Sequence, residues 1–405
     1  MDENPVAVVY LQRSDLQAHP RDPEHLTEDY ARGTRSHDLS EPTLRRGEGV
    51  RHSMKSPMPE ATSSTLCQNR GTIVTGQRRG PTVAQHHAGA MRRALPAPKV
   101  SVLLPVWDGE AFLEQALESI LQQTLTSFEL IVIDDGSTDR TAAIAEEFAS
   151  RDTRVRVLRF PHEGLAATLN AGIAAARGEY VARMDADDIS VPDRLKKQVA
   201  YLDAHPACVA VGAWIEVIDE AGRHLGLKTY VSTHDEISTA LLHGASAIAH
   251  PTIVVRRVAL RAAGGYDGRR YPSEDLDLWF CLCQRGKLAN LGETLLQHRR
   301  HKAAIGVLER EKMRAMALAI CNEERAKRGL RPRAPGPLLA GTNADARYHF
   351  ECARTALIAG SHLTALRHAA ATIGAEPNRL YGYVTLLGCA VPKRLLRWLL
   401  NVRAR

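Results

Sequence analysis

From Lys99 onward, apolar residues gather in short dense runs separated by polar turns. Val100–Leu104, interrupted only by Ser101, predicts a strand covered on both faces. After it, Phe112, Leu113, Ala116, Leu117, Ile120 and Leu121 share one helical stripe, and Asp108 is placed to cap that helix. Glu129–Asp134 predicts a second buried strand. Ser137 or Thr138 then caps a helix whose apolar positions include Ala142, Ile144, Ala145 and Phe148. Val155–Leu158 is a third strand, and a helix runs from Leu165 to Arg177, stopped by Gly178. Tyr180–Met184 is the fourth strand. Strands alternating with helices imply an α/β domain, Rossmann-like, with a mostly parallel sheet and helices on both faces.

The pattern then changes. Val209–Asp219 and Leu225–Val231, joined by a Glu-Ala-Gly turn, predict a hairpin. His250–Arg256 reads as a strand and Glu274–Arg285 as a helix. This mixed second half of the same domain suits the holding of an acceptor. From Ile305 to Arg405 the chain reads as helical, with Tyr348–Ala359 and Ala365–Ile373 split by Gly360-Ser361 like a helical hairpin. No second copy recurs at a fixed period, so a repeat array is not indicated. Residues 1–97 are rich in Arg, His, Ser, Thr, Pro and Gly. Stretches such as Arg45–His52 bury almost nothing, so disorder is the expectation. The alternative is a segment that is not translated, with Met91 as the start. The expected organisation is therefore an extension over 1–97, a catalytic domain over 98–305 and a helical region over 306–405.

Composition narrows the picture. The chain has 405 residues, 44% hydrophobic but only 5% aromatic, so its core is built from Val, Ile, Leu and Ala. A net charge of +7 suits an acidic partner without choosing among nucleotide phosphates, anionic lipid and nucleic acid. The seven cysteines are scattered and odd in number, which argues against a secreted disulfide framework and fits a reducing cytoplasm. Cys281 and Cys283 lack a second pair at zinc-site spacing and read as small apolar residues on a helix. Val6–Leu11 is too short for the apolar core of a signal peptide. No uncharged run reaches the roughly 18 residues of a membrane-spanning helix.

Candidate chemistry lies in five places. Asp185-Ala-Asp187-Asp188 follows the fourth strand, where open parallel sheets bind ligands, and its carboxylates suit a hard cation such as Mg²⁺ or Mn²⁺. The bland alternative is an acidic turn before the helix near Pro192, with Asp188 and Ser190 as caps. Asp134-Asp135-Gly-Ser-Thr-Asp139 ends another strand, and Asp135 could accept from a nucleoside; a plain strand-to-helix turn is the alternative. Trp107 could lie against a nucleobase or serve as a hinge aromatic. Glu274 and Asp275 open a helix, where either could be a general base or could merely complement the helix dipole. In His298-Arg-Arg-His301, His301 could ligate the metal and Arg299 could meet phosphate, against a solvated basic loop.

In this order the residues resemble family 2 glycosyltransferases of the GT-A nucleotide-diphospho-sugar transferase fold, over Val100 to His301, about half the chain. The carriers are Val-Ser-Val-Leu-Leu-Pro-Val, Glu129–Asp139, Gly164-Leu-Ala-Ala-Thr-Leu-Asn170, Gly178-Glu-Tyr-Val, Met184–Asp188, Pro192–Leu195, Gly264-Gly-Tyr-Asp267 and Ser273-Glu-Asp. The resemblance implies that Pro105, Trp107 and Asp135 line the nucleoside pocket. It implies Asp187 as the direct metal ligand, Asp185 nearer the ribose, His301 as a further ligand, and Asp275 beside Glu274 as the base. It also implies inversion by single displacement. UDP is the family's habitual nucleotide, and a glycan or lipid-linked acceptor in cell-surface polysaccharide synthesis follows. Trp107-Asp108 stands where the family usually has Tyr-Asn, and His298 replaces a Tyr in the family's late Tyr-Arg-x-His pattern.

Other classes fit less well. A pyrophosphorylase needs a glycine-rich basic loop after the first strand, and a dehydrogenase needs G-x-G-x-x-G; Val106-Trp-Asp-Gly-Glu110 is neither. A non-catalytic nucleotide-sugar-binding or scaffold protein is the alternative from another class. Nucleic acid is not an expected partner, because the basic N-terminal stretch lacks interleaved aromatics. Lys393-Arg394-Leu-Leu-Arg397-Trp-Leu-Leu could lie on an anionic bilayer or pack as a final helix. The expected location is cytoplasmic, peripheral to the inner membrane face if that segment binds lipid.

Overall fold

The computed structural model describes residues 97–335, 344–378 and 380–389. The expectations for residues 1–96, including the alternative start at Met91, and for the Lys393–Leu400 segment lie outside them. The elements are β1 (Val100–Val106), α1 (Leu113–Leu121), β2 (Phe128–Asp134), α2 (Thr141–Arg151), β3 (Val155–Arg159), α3 (Leu165–Ala175) and β4 (Tyr180–Arg183). Then come β5 (Ile189–Ser190), α4 (Arg194–Ala204), β6 (Cys208–Ile218), β7 (His224–Lys228), α5 (His234–Leu242), β8 (Val254–Arg256), α6 (Arg257–Ala262), α7 (Glu274–Cys283) and β9 (Lys287–Arg299). Helices α8 (Ile305–Leu308), α9 (Arg310–Lys327), α10 (Ala344–Ala359), α11 (His362–Ala375) and α12 (Leu380–Gly388) follow.

One sheet runs in the order β3-β2-β1-β4-β8-β6-β9-β5, with β7 paired to β6. The β1–β4 part is parallel, as the alternating pattern predicts. Beyond β4 the sheet is mixed: β8 is antiparallel to β4 and β6, whereas β9 is parallel to β6. The continuous apolar runs have a simple cause. Successive strand residues point to opposite faces, and helices cover both. Leu104, Leu130 and Val132 pack on one side with Leu117 and Ile120 of α1 and Leu202 of α4. Leu103, Ile131 and Ile133 pack on the other with Leu169 of α3 and Trp279 of α7.

The C-terminal helices share the first of these clusters: Tyr348, Cys352 and Ala356 of α10 and Ala365 of α11 lie in it with Val217 and Leu225. Gly226 lets β7 approach α10, since a Cβ there would stand 3.0 Å from that of Ala359. The expected α10–α11 hairpin is present, turning at Gly360 with φ 85°.

Three local expectations are corrected. His250–Arg256 is not one strand: His250–Thr252 forms a 3-10 turn, with Pro251 in it, and only Val254–Arg256 pairs. Asp108 does not cap α1. It adopts φ 47°, and its carboxylate accepts instead from the backbone N–H of Thr138 in the neighbouring loop. Ser137 and Thr138 likewise do not cap α2; Asp139 accepts from Thr141 N, and the Ser137 hydroxyl accepts from Asp108 N. The two strand-to-helix loops satisfy each other's backbone groups, so the polar residues that suggested local caps are spent across the gap.

Candidate active site

The site gathers at the carboxyl ends of β1, β2 and β4, where α/β sheets leave a crevice. Beyond β4 lie the three carboxylates Asp185, Asp187 and Asp188. One ligand oxygen from each falls within 4.8 Å of the others. Two of them are held by residues at and just after the end of β9. The fully buried Asp188 accepts from Arg299 N at 2.9 Å and faces His298 Nδ1 at 3.1 Å. Asp187 Oδ2 lies 2.8 Å from His301 Nε2. Asp185 is ion-paired with the buried Arg183.

Charge crowding shows in the titration of these groups. Burial, and then the neighbouring Asp187 charge, push Asp188 up to about 6, against the relief given by His298. Burial likewise raises Asp185, opposed by Arg183. Asp187 is half-buried, and the His301 hydrogen bond and the His298 charge outweigh the cost of desolvation, so it stays below the usual carboxylate range. Three close carboxylates with an imidazole at their edge are a hard-donor set that fits Mg²⁺ or Mn²⁺. Asp185 already carries a guanidinium, and Asp188 is committed to β9.

Two readings of this region change. Asp188 and Ser190 do not cap α4; Asp188 anchors β9, and the Ser190 hydroxyl accepts from Gln123 Nε2. Arg299 does not face a phosphate. Its buried guanidinium donates to Asp187 O, Glu220 O and Gln115 Oε1, so it fastens the D-x-D backbone to its surroundings. His298, read as a mere departure from a family pattern, is part of the acidic cluster. Only its spacing from His301 hinted at that.

At the ends of β1 and β2, Pro105 is buried and Trp107 is 56% exposed. The Trp107 ring stacks on His162, with centroids 4.4 Å apart; sequence reading had not singled out that histidine. Asp135 accepts from Glu163 N and Gly164 N, both at 2.9 Å, and lies 3.0 Å from His162 Nδ1. It ties the end of β2 to the start of α3 beneath Trp107.

Glu274 and Asp275 open α7, as expected. Ser273 does not cap it, for its hydroxyl donates to Met313 O. Asp275 Oδ1 accepts from Leu276 N at 2.8 Å. Burial raises the Asp275 carboxyl, and the Arg183 charge counters that. Arg183 acts likewise on Glu274, and the Asp185 charge raises both acids, so the acid pair and the D-x-D lie within one another's field. Nearby, the Tyr266 hydroxyl meets His250 Nε2 at 2.8 Å, and burial holds His250 neutral.

Glu274 is 4% exposed, and its Oε2 has no hydrogen-bond partner among the described residues. Burial, joined by the Asp275 charge, raises it from 4.5 to about 7. The folded chain therefore binds this proton more tightly than the unfolded chain. The stability so gained is complete below the ordinary value and is lost as pH rises through about 7. Glu274→Gln keeps the shape and removes the ionisation. Its urea-unfolding stability is expected to fall less between pH 5 and 8, exceeding wild type at pH 8 by on the order of 1–3 kcal/mol. An unchanged slope would mean the carboxyl is solvated.

With this geometry in place, a profile described as "Glycosyl transferase family 2" matches residues 101–262. EpsE of Bacillus subtilis (strain 168) is 37% identical over 207 residues, 50% of this chain and 73% of that protein. The amylovoran biosynthesis glycosyltransferase AmsE of Erwinia amylovora is 34% identical, over 49% of this chain and 75% of its own. The O-antigen biosynthesis glycosyltransferase WbnJ of Escherichia coli is 32% identical, over 50% and 80%. Among solved structures, S. aureus TarS 1-349 in complex with UDP-GlcNAc matches with a TM-score of 0.45 at 18% identity, over 68% of this chain and 89% of that one.

Proposed function

The chain belongs to glycosyltransferase family 2, and from that membership we propose that it moves a sugar from a UDP-sugar to a hydroxyl of a glycan or lipid-linked acceptor, with inversion, in cell-surface polysaccharide synthesis. One observation carries the reading. The Asp185–Asp188 carboxylates with His301 lie within electrostatic reach of the Glu274–Asp275 pair, and the Arg183 charge acts on both groups. The first group is what a diphosphate leaving group needs, the second what an attacking hydroxyl needs.

In this reading Trp107 and Asp135 line the nucleoside pocket with Pro105, and Asp185 lies nearer the ribose. Asp187 and His301 would hold a divalent cation, which would supply positive charge to a diphosphate leaving group. Asp275 accepts the proton of the acceptor hydroxyl. The freed oxygen bonds to the anomeric carbon on the face opposite the diphosphate, the carbon–diphosphate bond breaks, and configuration inverts. Glu274, held near neutrality, sits beside Asp275 without adding a full second charge. The relatives named for polysaccharide synthesis support the pathway class. The catalytic unit in this reading spans 98–305, followed by the C-terminal region 306–405.

Titration of the full chain with UDP, GDP and dTDP by calorimetry, with Mn²⁺ and with EDTA, tests the donor site. UDP binding that requires Mn²⁺ is the expected result. Binding of none of the three by folded protein would favour the scaffold alternative.

A further inference from the structure

Two imidazoles join the α10–α11 hairpin to the turn between β6 and β7. His349 Nδ1 of α10 lies 2.9 Å from His368 Nδ1 of α11, and His368 Nε2 lies 3.2 Å from Asp219 Oδ2. His368 and Asp219 are buried, and His349 is half-buried. The Asp219 carboxylate also accepts from Ala221 N, Arg223 N and the Arg223 guanidinium, and so shapes the turn. Burial works against its charge, yet the Arg223 and His368 contacts outweigh that and hold its pKa below the ordinary value. These distances fix where the protons lie. A hydrogen bond between two Nδ1 atoms needs one N–H and one bare nitrogen. The carboxylate oxygen of Asp219 requires an N–H at His368 Nε2. Neutral His368 then has a bare Nδ1, and His349 donates to it from its own Nδ1.

On its other side the same turn meets the D-x-D. The buried Arg299 guanidinium donates to Glu220 O at 3.0 Å and to Asp187 O at 2.9 Å. Arg299 N donates to Asp188, and Arg300 N donates to Ile218 O, one residue before Asp219. Tyr348, next to His349, donates its hydroxyl to Arg300 O at 3.3 Å and accepts from Glu220 N at 3.4 Å. Helices α10 and α11 thus grip the β6–β7 turn and the residues after β9 together. Arg299 carries that grip to the backbone of Asp187.

We propose that His368, held in one tautomer by His349, is a positioning residue for the D-x-D, acting through the Asp219 turn and Arg299 to fix Asp187. The C-terminal hairpin is then part of the framework of the donor site. Partners one shell out from a metal ligand are typically worth about 10–100-fold in affinity, because they set the direction in which the ligand points. The inference rests on the reading of Asp187 as a donor-site residue.

The test reads backbone hydrogen exchange in the full chain without ligand, together with Mn²⁺-dependent UDP affinity. Losing a hydrogen bond to a charged acceptor shifts a local opening equilibrium by on the order of tenfold. His368→Leu is therefore expected to speed exchange at the Gly222, Arg299 and Arg300 amides by about tenfold, and to weaken UDP binding by at least about fivefold. Amides of β2 should keep their wild-type rates, which separates this effect from a general loss of stability. His368→Gln still offers an N–H towards Asp219 and is expected to stay within about twofold of wild type in both readings. Nitrogen-15 spectra of the imidazoles at pH 7.5 should show His368 protonated at Nε2 and His349 at Nδ1. If His368→Leu does not fold, His349→Phe keeps a ring but removes the N–H to His368, and it should loosen the same amides by about threefold. Loosening confined to α11, equal effects of His368→Leu and His368→Gln, or the reverse tautomers would overturn the proposal. UDP binding that is untouched in folded His368→Leu overturns it too and leaves the donor reading standing. Faster exchange at Arg299 in a protein that binds no UDP sinks the donor reading and leaves the positioning role standing.

Discussion

Asp275→Asn is expected to lower kcat by about 10²–10⁴-fold, the usual worth of a positioned proton acceptor, while leaving UDP affinity within about threefold. Asparagine has the same outline and keeps an oxygen for the Leu276 N–H. What it loses is the ability to take a proton. Burial raises the aspartate's pKa, which makes it a stronger base than an exposed carboxylate. The change should therefore appear in turnover and not in folding. Steady-state transfer with a UDP-sugar, beside a thermal melt, reads both quantities. Near-normal transfer would remove Asp275 from the role. A large loss in Glu274→Gln with Asp275→Asn unaffected would move the base one residue back, to a carboxyl already near pH 7.

Asp187→Ala should weaken Mn²⁺-dependent UDP binding by at least about a hundredfold, above the 10–100-fold typical when only an outer partner of a metal is lost. Among the three carboxylates it is the one whose partner, His301, is itself proposed to join it in holding the ion. Its pKa is held below the usual carboxylate range by His301 and His298, while Arg183 pairs with Asp185 and β9 holds Asp188. The alanine also strands His301, whose Nε2 faces Asp187 Oδ2. Calorimetry with Mn²⁺ alone and then with UDP separates loss of the ion from loss of the nucleotide. Wild-type affinity in the variant would transfer the ligand role to another member of the cluster.

The acidic motifs were legible because each stands directly after a strong apolar run, so the end of the strand positions it whatever the rest of the chain does. The surroundings were not legible. β9 was missed: along Lys287–Arg299 the apolar residues are interrupted, and its register with β6 shifts at several points, so no clean period marks it. Missing β9 hid the origin of His298 and Arg299. The two-residue β5 has no pattern of its own and exists only as a partner of β9. Capping residues were misassigned for the same reason. Asp108, Ser137 and Asp188 are correct as hydrogen-bonding types, but their partners lie across the crevice.

By itself the sequence determined the parallel half of the sheet, the family resemblance and the identity of the acidic and imidazole side chains. Local periodicity and short motifs act over a few residues, and those features are local. Tertiary structure alone decided which groups meet: Asp187 with His301, 114 positions apart, Asp188 with His298, 110 apart, and Arg300 and Arg310 with Glu351. Such pairings exist only once β9 closes the mixed sheet and α10 packs on β7. Their energies come from burial and from charges brought close in space, quantities that no stretch of sequence carries on its own.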